Sequence, residues 1–196
     1  MNGYLIFGLG NPGSKYKFTR HNIGWMVAER IINKFELKII EKTKYYEIAE
    51  YKHKGKTNLV GVPLTYMNLS GEAAIRLTIK YKIPIENILV LVDEYNFPLG
   101  KIHLRKGGGD SGHNGIASII EKLNNPNFLR LRLGIDRNFG QGELVDYVLT
   151  EFNTNEQEKL EQTLDSSIKA INYLIENGYA RAASEINSGK LFSHFP

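Results

Sequence analysis

The sequence contains no cysteine and no apolar run long enough to cross a membrane. Disulfide bonds, thiol nucleophiles and cysteine-based metal sites are therefore excluded, which fits a cytoplasmic protein. The residues after Met1 enter a predicted strand directly rather than a signal peptide. Internal repeats, low-complexity segments and an interdomain linker are also lacking, so we expect residues 1–196 to form a single domain.

The overall charge is weakly positive. Hydrophobic residues make up 42% of the chain and charged residues 23%, with a formal net charge of +4. These proportions are typical of a globular protein with a substantial core. A mildly basic chain permits a polyanionic partner such as RNA but does not require one.

Strand and helix patterns alternate along the chain. Apolar runs or period-two alternation predict strands at residues 4–7, within 37–62, and at 87–94, 101–106 and 129–135. Apolar residues at helical spacing predict helices at 22–36, 70–81, 116–123, 143–152 and 155–177, followed by a break at Gly178, a further short helix and a loose end. We therefore expect an α/β fold, a three-layer sandwich in which a mixed, mostly parallel sheet has helices on both faces.

A glycine-rich turn, Gly8-Leu9-Gly10-Asn11-Pro12-Gly13, follows the first strand. Its spacing matches a dinucleotide-binding fingerprint, but that motif leads directly into a helix that receives the pyrophosphate. Here a polar and aromatic loop intervenes and brings His21 to the start of the helix, and the acids that follow, Glu29 and Glu36, are poorly placed for a ribose. We therefore consider a nicotinamide or flavin site a weak alternative.

Asp93 ends the most continuous apolar strand, at the sheet edge where Asn11 is also expected. Ligands of open α/β sheets bind beyond this edge, so Asp93 is a candidate to orient a histidine or bind a metal. A turn before Pro98 is an equally weighted interpretation.

Other polar residues have a structural and a functional interpretation. Asn68 or Ser70 is expected mainly to cap the helix at 70–81, and Thr19 or Asn22 the helix at 22–36. The segment Gly107-Gly108-Gly109-Asp110-Ser111-Gly112 favours a moving or ligand-approaching loop, after which His113 or Asn114 either caps the next helix or lines a site. Arg130 and Arg132 share one strand face, either as solvated side chains or, with Arg105, Lys106 and Lys101, as a phosphate-binding patch.

The chemistry available to these residues is limited. No serine occupies a nucleophile elbow, and neither His21 nor His113 belongs to a helical H-E-x-x-H pattern for a metal. A histidine acting as a general base on water remains, with Asp93 fixing its tautomer and amide side chains binding a developing oxyanion. Such a site suits hydrolysis of an ester.

Several motifs together resemble bacterial peptidyl-tRNA hydrolases over essentially the whole chain. The motifs are Gly8-Leu9-Gly10-Asn11-Pro12-Gly13, Thr19-Arg20-His21-Asn22, Tyr66-Met67-Asn68-Leu69-Ser70-Gly71, Asp93-Glu94, Gly112-His113-Asn114-Gly115 and Phe128-Leu129-Arg130-Leu131-Arg132-Leu133-Gly134-Ile135. The resemblance implies a monomeric, cytoplasmic esterase that cleaves the bond between a peptide and the 3′ end of tRNA. It implies no metal, no cofactor, no membrane and no obligate protein partner.

The resemblance also implies roles for individual residues. His21 matches the proton acceptor, Asp93 its support, and Asn11 the residue that discriminates blocked from free aminoacyl ends. Positions that contact the tRNA or peptide, or line the site, match Tyr16, Tyr66, Asn68, His113 and Asn114. Arg105 and Arg132 match a basic pair that holds the terminal phosphate of the tRNA, and residues 107–112 match a gating loop.

The sequence departs from the family pattern at two informative places. Asn96 stands where the family commonly has a second aspartate, and Arg105 replaces a frequent lysine, which alters the geometry of phosphate binding. A non-catalytic RNA-binding module remains the alternative from another class, because Arg105, Arg130 and Arg132 could serve it alone.

Overall fold

The computed structural model describes residues 3–193 and contains one mixed sheet of seven strands in the order β2-β3-β4-β1-β5-β7-β6. The strands are β1 Leu5–Gly8, β2 Ile39–Lys42, β3 Tyr46–His53, β4 Lys56–Pro63, β5 Ile88–Glu94, β6 Ile102–Lys106 and β7 Leu129–Gly134. The four central strands, β4, β1, β5 and β7, run parallel, whereas the pairings toward both edges are antiparallel.

Helices cover both faces of the sheet. They are α1 Ile23–Lys34, α2 Ser70–Tyr81, α3 Asn114–Leu123, the short α4 Leu144–Val148 and α5 Gln157–Asn187. One apolar core lies under α1 and α5, and a second lies under α2 and α3. The α/β sandwich expected from the alternating patterns is confirmed.

The central strands position the site. Every residue of β1 and β5 is buried, because both strands are covered on both faces. Helix α1 begins unusually close to them: a Cβ at Gly24 would lie 2.2 Å from the carbonyl oxygen of Leu91, and a Cβ at Gly8 would lie 2.4 Å from that of Gly24. The two glycines therefore permit the approach that brings the turn before α1 against the carboxyl end of β5.

The C-terminal helix is interrupted where the sequence predicts. Gly178 has φ 75° and ψ 172° inside α5, so the chain leaves helical geometry there and a second helical segment follows. The expected loose end falls partly on residues 194–196, which lie outside the described residues, as do Met1 and Asn2. Within residues 3–193, no helix is long and apolar enough to span a membrane.

Candidate active site

A cavity of about 390 Å³ opens at the carboxyl end of β5 and brings together most of the residues singled out from the sequence. Its lining includes Asn11, His21, Tyr66, Asn68, Asp93, Arg105, His113, Asn114 and Arg132. Tyr16 lies outside the lining but packs edge-on against Tyr66, with 6.4 Å between the ring centroids, and so extends the rim. Segments distant in sequence therefore form one site.

Asp93 is the centre of the polar contacts in this cavity. Its Oδ1 lies 2.9 Å from Nδ1 of His21 and 3.0 Å from Nε2 of His113. The two imidazole rings are 4.8 Å apart, and the Asp93 side chain is 2% exposed. These distances are short enough for Asp93 to orient a histidine through a hydrogen bond.

The hydrogen-bond partners of His113 assign its tautomer. Its Nδ1 accepts the backbone N–H groups of Gly115 and Ile116, at 3.1 and 3.3 Å, as the N-cap of α3. A nitrogen that accepts carries no proton, so neutral His113 keeps its proton on Nε2 and donates it to Asp93. His113 therefore caps α3 and also belongs to the hydrogen-bonded cluster of His21, Asp93 and His113.

His21 contacts Asp93 through its other ring nitrogen, Nδ1, rather than through Nε2 as His113 does. Its Nδ1–H donates to Asp93, and its Nε2 has no hydrogen-bond partner among residues 3–193.

Burial and the contacts of this cluster shift the pKa values of Asp93 and His21. Burial raises the pKa of Asp93, but the charges and hydrogen bonds of His21 and His113 outweigh this effect and hold the pKa of the carboxyl below its usual range. Burial lowers the pKa of His21, but the Asp93 charge and hydrogen bond raise it overall above its ordinary value.

Arg20 anchors the 3₁₀ turn Arg20–Asn22 that carries His21. Its buried guanidinium donates to both carboxylate oxygens of Glu156, at 3.0 and 2.7 Å, and to Oγ1 of Thr150 at 3.3 Å. The Arg20 backbone N–H also donates to the carbonyl oxygen of Thr150 at 2.9 Å. A bidentate ion pair therefore fixes the backbone next to His21.

The orientation of the Asn11 side chain follows from its neighbours. Its Oδ1 accepts the backbone N–H of Met67 at 2.8 Å, and Asn22 binds the Asn11 backbone at both N–H and C=O. The Nδ2 group of Asn11 consequently remains as the donor available to the cavity. Asn11 presents an amide N–H, rather than an acceptor, to whatever binds there.

Arginine side chains line one face of β6 and β7. Arg105 pairs in register with Arg130, and Arg132 lies two residues farther along β7. Glu94 accepts from Nε and Nη2 of Arg132, while Asn96 donates to Glu94 through its backbone and side-chain N–H groups, both at 2.9 Å. The interpretation of Arg130 as a solvated side chain is wrong, because only 5% of it is exposed.

The side-chain caps expected for α1 and α2 are not formed. Ser70 donates its hydroxyl to the carbonyl oxygen of Met67, and neither Asn68 nor Ser70 caps α2. At α1, neither Thr19 nor Asn22 caps the helix, because the amide of Asn22 binds Asn11 instead. Tertiary partners have overridden the local capping preference at α1.

Two apolar residues of the site were not apparent from the sequence. Val145 in α4 and Leu149 just after it line the cavity and remain 67% and 38% exposed. Their spacing of four residues was visible in the predicted short helix, but nothing in it indicated that this face borders the cavity. They add apolar surface to the lining of the cavity.

The side chains of His21, Asp93 and His113 could also supply three ligand atoms to a metal, since these atoms lie within 4.8 Å of one another. The nitrogens that face Asp93 are already hydrogen-bonded to it, and Nδ1 of His113 caps α3. Hydrogen bonding therefore accounts for the arrangement of all three residues.

Comparisons with known proteins identify the family of the chain. The family model for "Peptidyl-tRNA hydrolase" matches residues 5–193. Proteins named peptidyl-tRNA hydrolase from Cytophaga hutchinsonii and Syntrophotalea carbinolica are 40% and 36% identical to the chain, covering 95% and 94% of it and 99% and 96% of their own lengths. The crystal structure of peptidyl-tRNA hydrolase from Acinetobacter baumannii superposes with a TM-score of 0.88 at 34% identity, covering 95% of both chains. The chain belongs to the peptidyl-tRNA hydrolase family of ester hydrolases.

Proposed function

We propose that this protein hydrolyses the ester bond between a peptide, or an N-blocked aminoacyl group, and the 3′ end of tRNA, with His21 as general base and Asp93 as its support. The observation that carries the proposal is the 2.9 Å contact between His21 Nδ1 and Asp93, which leaves Nε2 of His21 without a partner among the described residues. Membership of the family supplies the reaction class.

The chemistry at His21 follows from this tautomer. Nε2 takes a proton from water as the water oxygen attacks the ester carbonyl, and Asp93 stabilises the resulting imidazolium. The tetrahedral intermediate then collapses, and the imidazolium returns the proton to the departing ribose oxygen. The products are free tRNA and the peptide acid.

Amide groups are available to stabilise the charge on the carbonyl oxygen. The side chains of Asn68 and Asn114 line the cavity and have no hydrogen bond to any other residue in the range 3–193. Their N–H groups would donate to the oxyanion, and such donors contribute most when they are held in place before the reaction. Tyr66 and Tyr16 extend this wall as a surface for the terminal base or the peptide.

Asn11 accounts for substrate discrimination in this proposal. Its free N–H group pairs with the carbonyl of an N-blocked aminoacyl end, whereas the protonated α-amino group of a free aminoacyl end would face another donor. An unpaired charge in a partly buried site is costly, so the free form is disfavoured.

Arg105 and Arg132 would bind the terminal phosphate of the tRNA. Arg105 is exposed and has no ion pair with the described acids. Arg132 gives Nε and Nη2 to Glu94, which leaves Nη1 for a phosphate oxygen. We further propose that the reaction needs no metal or cofactor, that the enzyme acts as a monomer and that it is cytoplasmic.

A direct test compares the wild type with His21→Ala on an N-acetyl-aminoacyl-tRNA and on its unblocked counterpart, with EDTA present. We expect the wild type to cleave only the blocked substrate and the variant to lose roughly 10²–10⁴-fold in kcat. Release of tRNA is followed by gel electrophoresis under acidic conditions.

Each other outcome has a definite meaning. Tight tRNA binding without cleavage by the wild type would favour the RNA-binding module. Cleavage that survives in His21→Ala would keep the reaction and remove His21 as the base. Loss of wild-type cleavage in EDTA, restored by a divalent ion, would contradict the metal-free mechanism.

A further inference from the structure

Arg130 is a buried cation to which the proposed reaction assigns no role. Its terminal nitrogens, Nη1 and Nη2, donate to the carbonyl oxygens of Gly109 and Gly108. Its Nε is buried and has no hydrogen-bond partner, and none of the ion pairs within residues 3–193 involves it. The guanidinium also lies over the ring of Phe128, 4.8 Å from the centroid.

This environment disfavours a positive charge. Burial, together with the nearby charges of Arg105 and Arg132, lowers the pKa of Arg130 to about 10. A buried cation without a carboxylate is costly unless its N–H groups find acceptors. The carbonyl oxygens of Gly108 and Gly109 are the acceptors present, so displacement of this segment would leave the guanidinium unsatisfied.

The segment that accepts these bonds, residues 107–112, is here called the glycine loop. At its start, the N–H of Gly107 donates to the carbonyl oxygen of Phe128 at 3.0 Å. Near its end, the carbonyl oxygen of Asp110 accepts the N–H of His113, also at 3.0 Å. Gly109 is thus linked to His113 through the next residue, Asp110, and one hydrogen bond. His113 in turn contacts Asp93.

We propose that Arg130 is a positioning residue for the hydrolysis: its two-pronged guanidinium holds the glycine loop where His113 can reach Asp93. The proposal rests on the proposed function, because His113 and Asp93 belong to the proposed site. This role differs from the phosphate binding proposed for Arg105 and Arg132, because both terminal nitrogens of Arg130 already donate to the glycine loop.

The test uses Arg130→Lys and Arg130→Met in the full chain. Lysine keeps the charge but lacks the planar fork that reaches two carbonyls together, and methionine keeps much of the apolar stem. Lys106→Met is the matched control. Lys106 is exposed beside the glycine loop, but it points to the face of β6 opposite Arg105 and so, contrary to the sequence prediction, lies outside the basic patch. Two readouts are measured: hydrogen exchange of the amides of residues 107–112, and hydrolysis kinetics.

Two substrates separate the possible roles of Arg130. One is N-acetyl-aminoacyl-tRNA, and the other is the same N-acetyl-aminoacyl ester on a short 3′-terminal oligonucleotide that lacks the terminal phosphate of the acceptor end. We expect both Arg130 variants to exchange the loop amides faster and to lose about 10- to 100-fold in kcat on both substrates. Lys106→Met should behave as the wild type does in both measurements.

Three results would overturn the proposal. A loss confined to the full tRNA and to KM would make Arg130 a phosphate contact. Full rescue by lysine would reduce its role to charge, and unchanged exchange of the loop would remove the link to His113. If Arg130→Met does not fold, Arg130→Lys decides the matter. Failure of the wild type to cleave either substrate contradicts the proposed function instead, and the exchange experiment still tests the contact with the loop.

Discussion

At the scale of single residues, Asp93 sets the protonation of the proposed base. His21 must be neutral to accept a proton, so activity should fall as the pH drops through its pKa, which Asp93 raises. In Asp93→Asn that stabilisation of the imidazolium is absent, so the acidic limb of the pH–rate profile should move to lower pH. We also expect kcat to fall roughly 10²–10⁴-fold, since the tautomer is no longer fixed.

Profiles of kcat/KM against pH measure this shift, and Asp110→Asn serves as the control. Asp110 lines the same cavity, but its carboxylate accepts from the N–H of Gly112 rather than from an imidazole. Its acidic limb should coincide with that of the wild type. A limb in Asp93→Asn at the wild-type position would show that Asp93 does not control the pKa of the titrating group.

Asn11→Asp tests discrimination with little change of structure. The aspartate keeps an oxygen for the Met67 N–H, so the contact at 2.8 Å survives, while the free N–H group becomes a carboxylate oxygen. That oxygen attracts an ammonium group and repels a carbonyl oxygen. We expect the preference for blocked over free aminoacyl-tRNA to shrink by roughly 10-fold or more.

Competition between the blocked and unblocked substrates in one reaction gives this ratio directly. A ratio equal to that of the wild type would remove Asn11 from substrate selection.

At the scale of elements, the sequence predicts what depends on local pattern. The unbroken apolar run of β5, the period-two alternation of β7 and the break at Gly178 all follow from neighbouring residues, and the structure confirms them. The expected Asn22 cap of α1 is not formed because Asn22 has a partner eleven residues away in sequence, at Asn11. His53 contacts Glu176, 123 residues farther along the chain, at 2.7 Å, and no local pattern indicates this contact.

Prediction of the site from the sequence is likewise limited by contacts between residues that are distant in sequence. Motif positions such as Asn11, His21 and Asp93 could be proposed from the sequence because turns and strand ends mark them. The contact of His113 with Asp93, the free Nδ2 of Asn11 and the burial of Arg130 could not, because each depends on how α3, the glycine loop and the sheet pack together.

The ion pair between Arg20 and Glu156 links two such distant elements. Glu156 has a lowered pKa: burial opposes this, but hydrogen bonds and the charge of Arg20 outweigh it. A lowered carboxyl pKa contributes stability above the unfolded-state pKa, and that stability is lost as the pH falls through the folded-state pKa. Glu156→Gln should therefore reduce the free energy of unfolding at pH 7 by about 3 kcal/mol, with a smaller difference near pH 4.

Urea unfolding at both pH values measures these differences. Glu161→Gln is the control, because Glu161 lies in α5, five residues after Glu156, and pairs with Arg30, but its side chain is 59% exposed. We expect it to cost about 0–1 kcal/mol. Equal effects of the two substitutions would show that the Arg20–Glu156 pair has no special part in holding the turn of His21.

At the scale of the whole molecule, the formal net charge is only +4, but Arg105 and Arg132 place positive charge in the lining of the cavity. If Arg105 binds a phosphate, Arg105→Gln should raise KM for the tRNA substrate and leave kcat nearly unchanged. The salt dependence of binding should also weaken, by about one unit in the slope of log K against log salt.

Lys54→Gln makes the same change in net charge at a different place. Lys54 is exposed at the turn between β3 and β4, at the amino end of β4 and thus at the opposite edge of the sheet from the cavity. If tRNA binding depended on net charge alone, the two variants would lose affinity equally and their salt slopes would agree. A loss specific to Arg105→Gln, measured by titration at several salt concentrations, would place the phosphate on the arginine face of β6 and β7.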